Sequence, residues 1–163
     1  VKALEQQLAD FCGAKYCISC ANGTDALQLA VMALGAGRGD AVFCPSFTFA
    51  ATAEAVYVMG AEPVFVDIDL GTYNMDPASL ERAIAHAKDK GLTPKGIIPV
   101  DLFGLPADYD AIQAIAKREG LWVIGDSAQG FGGVYRRCRE RAVRIVIPFF
   151  DNNAFRYLYP RAV

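Results

Sequence analysis

Short apolar runs alternate along the chain with longer segments whose apolar residues recur at helical spacing. The short runs are typical of buried strands, and the longer segments, ended by glycine or begun by a capping acid, are typical of helices. Strands are predicted at 16–20, 41–44, 63–67, 96–100 and 121–124. Helices are predicted at 2–11, from the turn at 21–27 to about 34, after 46–49 to 59, from 77 to about 90, and after 108 to 119. The alternation predicts an α/β fold, a three-layer αβα domain with a mostly parallel central sheet.

Composition supports one globular domain with a substantial core. The chain has 163 residues, 53% of them hydrophobic, and a formal net charge of -2. No basic surface is predicted over the main body, so nucleic acid is not an expected partner. No apolar run approaches the roughly 20 residues that a membrane span needs, and no signal peptide is present. Because the chain starts at Val1 without methionine, we expect it to be a piece of a longer protein.

The cysteines indicate a reducing compartment, and the predicted location is the cytoplasm. They are Cys12, Cys17, Cys20, Cys44 and Cys138. An odd number in scattered apolar contexts argues against a disulfide framework. Cys17 and Cys20 form a CxxC, but no second CxxC follows and His86 is the single histidine. We therefore interpret these thiols as structural, with no metal or redox site.

The sequence changes character after Tyr135. The segment 136–163 is rich in arginine and has no glycine. The residues 145–150 are apolar enough for a strand, but no turn residues organise what surrounds them. A basic tail is one form of nucleic-acid arm, although its aromatic and aliphatic content fits that poorly. We expect a domain over 1–135 and an aberrant tail over 136–163.

Candidate chemistry lies where predicted strands end. Asp126 follows the strand 121–124, at the edge where open α/β sheets bind ligands. Gly23 and Thr24 open a helix, whose unpaired amides suit a phosphate, although Gly-Thr at such a turn more often only caps the helix. Phe49 is either core or a residue that stacks on a flat ligand. Asp126 alone suits a magnesium ligand, a cap or a ribose-binding acid, and the common nucleotide fingerprints are absent.

The order of these blocks resembles one known family. The matching segments are CANGTDAL at 20–27, PSFTFAATAEA at 45–55, PVFVDID at 63–69, TYNMDP at 72–77, DLFG at 101–104 and GDSAQGFG at 125–132. They resemble the DegT/DnrJ/EryC1/StrS sugar aminotransferases, which are fold-type I pyridoxal phosphate enzymes. The resemblance covers nearly everything from Val1 to about Arg136 and implies the large domain of that fold, incomplete at its carboxyl end.

The resemblance also implies roles for five residues in holding pyridoxal phosphate. Gly23 and Thr24 match the family's phosphate-binding turn, and Phe49 matches the aromatic that stacks on the ring. Asp126 matches the carboxylate that pairs with the ring nitrogen. Gln129 matches the side chain that bonds the ring's phenolic oxygen.

Two features depart from the family pattern. Asp101 stands where many relatives have histidine, and we assign it no catalytic role. The family needs a Schiff-base lysine after the Asp126 block, or histidine in its dehydratase members, yet the last lysine here is Lys117 and His86 lies upstream. Because that lysine is missing, no catalytic residue is identifiable in this chain, and we expect it to lack the family's small carboxyl-terminal domain.

Three interpretations follow. The first is an enzyme that moves an amino group, from glutamate, to a keto group of a nucleotide-linked sugar for surface polysaccharides, with UDP-linked hexoses as the nearest match. By resemblance, its parent forms a homodimer with shared active sites. The second is a truncated, catalytically inactive remnant of that family that keeps only binding. The third is an unrelated doubly wound nucleotide-binding domain.

Overall fold

The computed structural model describes residues 1–12 and 14–131, together with the backbone of 143–146 and 157–159. The helices are α1 Lys2–Cys12, α2 Gly23–Ala33, α3 Ala51–Val58, α4 Pro77–Asp89 and α5 Tyr109–Glu119. The strands are β1 Asp40–Pro45, β2 Glu62–Val66, β3 Thr93–Ile97, β4 Trp122–Asp126, β5 Val143–Val146 and β6 Tyr157–Tyr159. No helix in these described ranges is long and apolar enough to cross a membrane.

The strands form one sheet in the order β2-β1-β3-β4-β5-β6. Every neighbouring pair from β2 to β5 is parallel, and β6 pairs with β5 in the antiparallel sense. This arrangement confirms the predicted, mostly parallel sheet. Because all parallel strands end at one edge, the loops after β1, β3 and β4 meet there.

Two hydrophobic cores cover the two faces of the sheet. The residues of β1 alternate between them: Phe43 belongs to the core with α4 and α5, and Val42 to the core with α2 and α3. Tyr109 and Leu80 are fully buried in the first core, and Leu27 is almost fully buried in the second. Side chains that alternate along a strand must point to opposite faces, so the fold is the predicted three-layer αβα sandwich.

One predicted strand is wrong. Residues 16–20 form no strand, although Cys17 makes an isolated bridge. Ser19 instead donates from its amide, at 2.8 Å, and from its hydroxyl, at 2.6 Å, to the carboxylate of Glu5 on α1. A side chain that accepts the backbone amide competes with a strand ladder for the same donor.

The strand predicted at 96–100 begins earlier than expected, since β3 is Thr93–Ile97. Pro99 has no amide to donate, and Val100 makes only an isolated bridge with Asp126. The strand predicted at 145–150 overlaps β5, which ends at Val146, and its remainder lies outside the described residues. The arginine side chains of the tail lie outside them as well, and the boundary near 135 stays a prediction.

Candidate active site

A cavity of about 270 Å³ opens at the carboxyl edge of the sheet. It is lined by Asn22, Gly23, Thr24, Leu27, Thr48, Phe49, Ala51, Val100, Asp126, Ala128 and Gln129. All five residues that the sequence nominated are among them. The structure therefore brings together the segments after β1, β3 and β4, as the strand-end argument predicts. The start of α2 joins them, although the predicted strand before it does not form.

Asp126 ends β4 and supplies a buried carboxylate to this cavity. It is 5% exposed. Its Oδ2 accepts a hydrogen bond from the Thr52 hydroxyl at 3.1 Å, and its Oδ1 accepts one from the Ala128 amide at 3.2 Å. The strand end is anchored as well, because the Asp126 amide donates to the Pro99 carbonyl at 2.8 Å. A carboxylate fixed by hydrogen bonds in a buried place is suited to hold a cationic nitrogen.

The amino-terminal end of α2 forms another side of the cavity. Asn22 caps the helix, because its side-chain oxygen accepts from the Asp25 amide at 3.1 Å and its side-chain nitrogen donates to the Asp25 carboxylate at 2.9 Å. Within the described part of the chain, the amides of Gly23 and Thr24 have no hydrogen-bond acceptor. Unpaired amides at the positive end of a helix dipole favour an anion such as phosphate.

Gln129 and Phe49 are exposed members of the site, as is Asn22. The Phe103 amide donates to Oε1 of Gln129 at 2.7 Å. Because only the side-chain oxygen accepts from an amide, the Gln129 nitrogen remains a donor for a ligand oxygen. Phe49 is 68% exposed while lining the cavity, which contradicts the alternative of an ordinary core residue. An exposed ring here is available to stack on a flat ligand.

Two threonines of the site escaped the sequence analysis. Thr52 holds Asp126, and the Thr48 hydroxyl is buried without a hydrogen-bond partner. A buried hydroxyl without a partner is costly, so its place in the cavity wall is consistent with a polar ligand. Both lie in the PSFTFAATAEA block, whose position after β1 is the one signal that pointed to them.

The described thiols of Cys44 and Cys17 add no reactive group to the site. Burial, and next the charge of Asp126, raises the pKa of the Cys44 thiol to about 12. Burial, followed by Glu5, raises the pKa of Cys17 to about 11. Protonated thiols are poor nucleophiles and metal ligands, which supports the structural interpretation. Among the described residues, no group of three or more His, Cys, Asp or Glu is placed to hold a metal ion.

Most of the chain matches one known protein family. The profile of the DegT/DnrJ/EryC1/StrS aminotransferase family matches residues 1–143, which is most of the chain. The chain belongs to this family. The match excludes the unrelated nucleotide-binding domain and reaches somewhat beyond the predicted limit near Arg136.

Similar proteins in the family include sugar-nucleotide enzymes. The UDP-2-acetamido-2-deoxy-3-oxo-D-glucuronate aminotransferase of Pseudomonas aeruginosa is 59% identical over 140 residues, covering 86% of this chain and 37% of that protein. A family aminotransferase from Brucella abortus superposes with a TM-score of 0.87 at 46% identity, covering 96% of this chain and 45% of that one. The NtdA structure from Bacillus subtilis, with bound cofactor PMP, has a TM-score of 0.83 at 31% identity. The match covers 95% of this chain and 35% of that one.

The chain thus spans about a third of the length of the curated relative from Pseudomonas. The family's cofactor is pyridoxal phosphate, whose amino form is pyridoxamine phosphate, PMP. The described cavity fits such a group: it has free helix amides for a phosphate, a buried carboxylate for a ring nitrogen, and the unpaired Thr48 hydroxyl. The chain shares the fold-type I architecture of these aminotransferase structures, as predicted.

Proposed function

We propose that the protein carrying this chain is a pyridoxal phosphate-dependent aminotransferase acting on a nucleotide-linked sugar. The observation that carries the proposal is one cavity with free helix amides at Gly23 and Thr24 and a buried carboxylate at Asp126. These are complementary to the phosphate and the ring nitrogen of a single molecule. The substrate named for the relative from Pseudomonas aeruginosa adds support for the sugar nucleotide.

Each residue of the cavity has a part in this proposal. When bound, pyridoxal phosphate would supply an electron sink for moving the amino group. Asp126 keeps a proton on the ring nitrogen, because its negative charge favours the cationic ring. Gly23 and Thr24 bind the phosphate, and Phe49 orients the ring plane. Gln129 donates from its side-chain nitrogen to the phenolic oxygen.

The finer parts of the proposal rest on the family resemblance. We infer glutamate as the amino donor, a UDP-linked keto-hexose as the acceptor, and a role in surface polysaccharide synthesis in the cytoplasm. The enzyme is a homodimer with active sites shared between subunits. Residues 1–135 belong to its large, cofactor-binding domain, and 136–163 is an aberrant tail, of which the residues up to 143 still match the family.

A second candidate is a remnant that binds the cofactor without turnover. This candidate follows from the sequence expectation alone: no lysine follows Lys117 among these 163 residues, whereas the family's cofactor-binding lysine follows the Asp126 block. A non-covalent cavity would still accept PMP, which needs no lysine. Covalent trapping therefore separates the two candidates.

The binding part of the proposal is tested by titrating the chain with PMP and with inorganic phosphate. Asp126→Asn keeps the size of the side chain and removes its charge. The remaining side-chain oxygen can still accept from the Ala128 amide, and the new amino group can donate to the Thr52 hydroxyl, which must then turn. We expect Asp126→Asn to weaken PMP binding by about tenfold or more, because a charged pair is lost, and to leave phosphate binding unchanged. Asp67→Asn is the matched control, since Asp67 is an exposed acid at the end of β2 outside the cavity.

Two outcomes would overturn this assignment. If wild type binds neither PMP nor pyridoxal phosphate while folded, the cavity is not a cofactor site. If Asp126→Asn and Asp67→Asn bind PMP equally well, Asp126 does not face the ring nitrogen. Borohydride reduction of the natural protein that carries this chain, with pyridoxal phosphate and followed by peptide mass spectrometry, then finds a modified lysine in a working enzyme and none in the remnant.

A further inference from the structure

Asp101 is a buried carboxylate that does not line the cavity. It is 6% exposed. Its Oδ1 accepts from the Ala107 amide at 3.0 Å and from the Tyr109 hydroxyl at 2.8 Å, and its Oδ2 accepts from the Ser127 hydroxyl. One carboxylate thus joins the loop before α5 to the residue that follows Asp126. A buried acid with several donors is satisfied in place and fixes each donor relative to the others.

The backbone around Asp101 contacts the same turn. The Asp101 amide donates to the Asp126 carbonyl at 2.9 Å. A Cβ atom on Gly130 would lie 2.8 Å from the Cβ of Asp101, so only glycine permits this approach. The segment 101–104 is therefore packed directly against the turn 127–130, which carries Gln129.

Phe103 adds a contact to Gln129 itself. Its amide donates to Oε1 of Gln129 at 2.7 Å, and its φ of 55° lies in the left-handed region. That conformation costs on the order of 1 kcal/mol for a residue with a side chain. The ring is 71% exposed, so burial of the ring does not explain the strain. The conformation directs the Phe103 amide at Oε1 of Gln129.

Asn74 holds this strained segment from the other side. It is 4% exposed, and its side-chain oxygen accepts from the Leu102 amide at 3.1 Å. Its side-chain nitrogen donates to the Leu105 carbonyl at 2.9 Å. The sequence blocks at 72–77, 101–104 and 125–132 are thus joined by hydrogen bonds, although only the last of them lines the cavity.

We propose that Asp101 is a positioning residue: through Ser127 it holds the turn that presents Gln129 and the strand end that presents Asp126. Its hydrogen bonds place these two side chains against the cofactor before the cofactor binds. The inference rests on the proposed function for its ligand, but the ordering of the turn is a property of the protein alone. Two separate measurements therefore test it.

Ser127→Ala removes the hydrogen bond between Asp101 and the turn. Tyr109→Phe is the matched control, because it removes a hydrogen bond to the same carboxylate from the side away from the cavity. We expect both to lower the melting temperature, and only Ser127→Ala to weaken PMP binding, by about tenfold. Ser127→Ala also changes the circular dichroism of the bound PMP, which depends on how the ring is held.

Hydrogen exchange of the ligand-free chain gives the second measurement. Amide exchange at 128–130 becomes about tenfold faster in Ser127→Ala and stays at the wild-type rate in Tyr109→Phe. If the two variants bind PMP equally and exchange equally, Asp101 does not position the turn. If wild type fails to bind PMP while exchange at 128–130 still responds only to Ser127→Ala, the positioning role stands and the proposed cofactor is wrong.

Discussion

At the residue scale, the pKa of the Cys44 thiol depends on its burial and on the nearby carboxylate of Asp126. Burial and the charge of Asp126 raise its pKa to about 12, above the ordinary value of a cysteine. The native state therefore holds the thiol proton more tightly than the unfolded chain does. This contribution is fully present below about pH 9 and is lost as the pH rises toward 12. We expect the free energy of unfolding to fall by about 2 kcal/mol between pH 8 and pH 10.5 from this group alone.

The contribution of Cys44 is isolated by a difference measurement. Denaturant unfolding at both pH values, in wild type and in Cys44→Ala, separates it from tyrosine and lysine ionisation. The variant is less stable at pH 8 because of the cavity it creates, and it loses less stability on going to pH 10.5. Equal losses in the two proteins would show that the Cys44 pKa is not raised.

The residues of the site differ in how visible they are in the sequence. Asp126 is found because an acid after a buried strand has one expected place at the sheet edge. Gln129 and Phe49 emerge only from the family resemblance, since neither type is diagnostic by itself. Thr52 is missed because its bond to Asp126 spans 74 residues of sequence. Asp101 was assigned no catalytic role, and its hydrogen-bond network depends on tertiary contacts that no local pattern records.

At the element scale, the start of α2 combines a stability role with a binding role. Asn22 caps the helix and lines the cavity beside the free amides of Gly23 and Thr24. Asn22→Ala should cost about 1 kcal/mol of unfolding free energy, because the cap is lost. It should also weaken binding of inorganic phosphate severalfold, since a frayed first turn no longer fixes the amides. Denaturant unfolding and phosphate titration measure the two effects.

The cap of α4 provides the control for this prediction. Asp76 accepts from the amides of Ala78 and Ser79 at 3.1 and 3.0 Å, and it does not line the cavity. Asp76→Ala should destabilise by a similar amount and leave phosphate binding intact. A loss of phosphate binding in both variants, in proportion to stability, would assign the effect to general unfolding.

Element boundaries were predictable where a cap or a breaker marks them. Asp76 with Pro77 starts α4, and Gly120 ends α5 in a left-handed conformation with φ of 71°. The failure at 16–20 has a different cause. That stretch has strand propensity, but the Glu5 carboxylate, more than ten residues earlier, accepts the Ser19 amide. A local sequence pattern does not show that the hydrogen-bond acceptor for a backbone amide will come from another element.

At the scale of the whole molecule, the sheet carries two cores, and Trp122 extends the one with α2 and α3. Gly96 pairs with Trp122 across β3 and β4, and a Cβ on Gly96 would lie 2.2 Å from ring atoms of Trp122. The ring therefore lies over the neighbouring strand only because residue 96 has no side chain. The α/β class followed from periodicity, but this choice of glycine depends on the register between strands.

Gly96→Ala tests whether the Trp122 ring requires a glycine on the neighbouring strand. The new methyl group forces the ring out of place, and we expect a loss of about 1 to 3 kcal/mol in unfolding free energy. Gly37→Ala is the control, because nothing lies within 4 Å of a Cβ there, and its effect should be small. In a Trp122→Ala background the Gly96→Ala cost should largely disappear, since the clashing ring is gone. Equal costs in the two backgrounds, measured by denaturant unfolding, would show that backbone strain at residue 96, and not the ring of Trp122, requires the glycine.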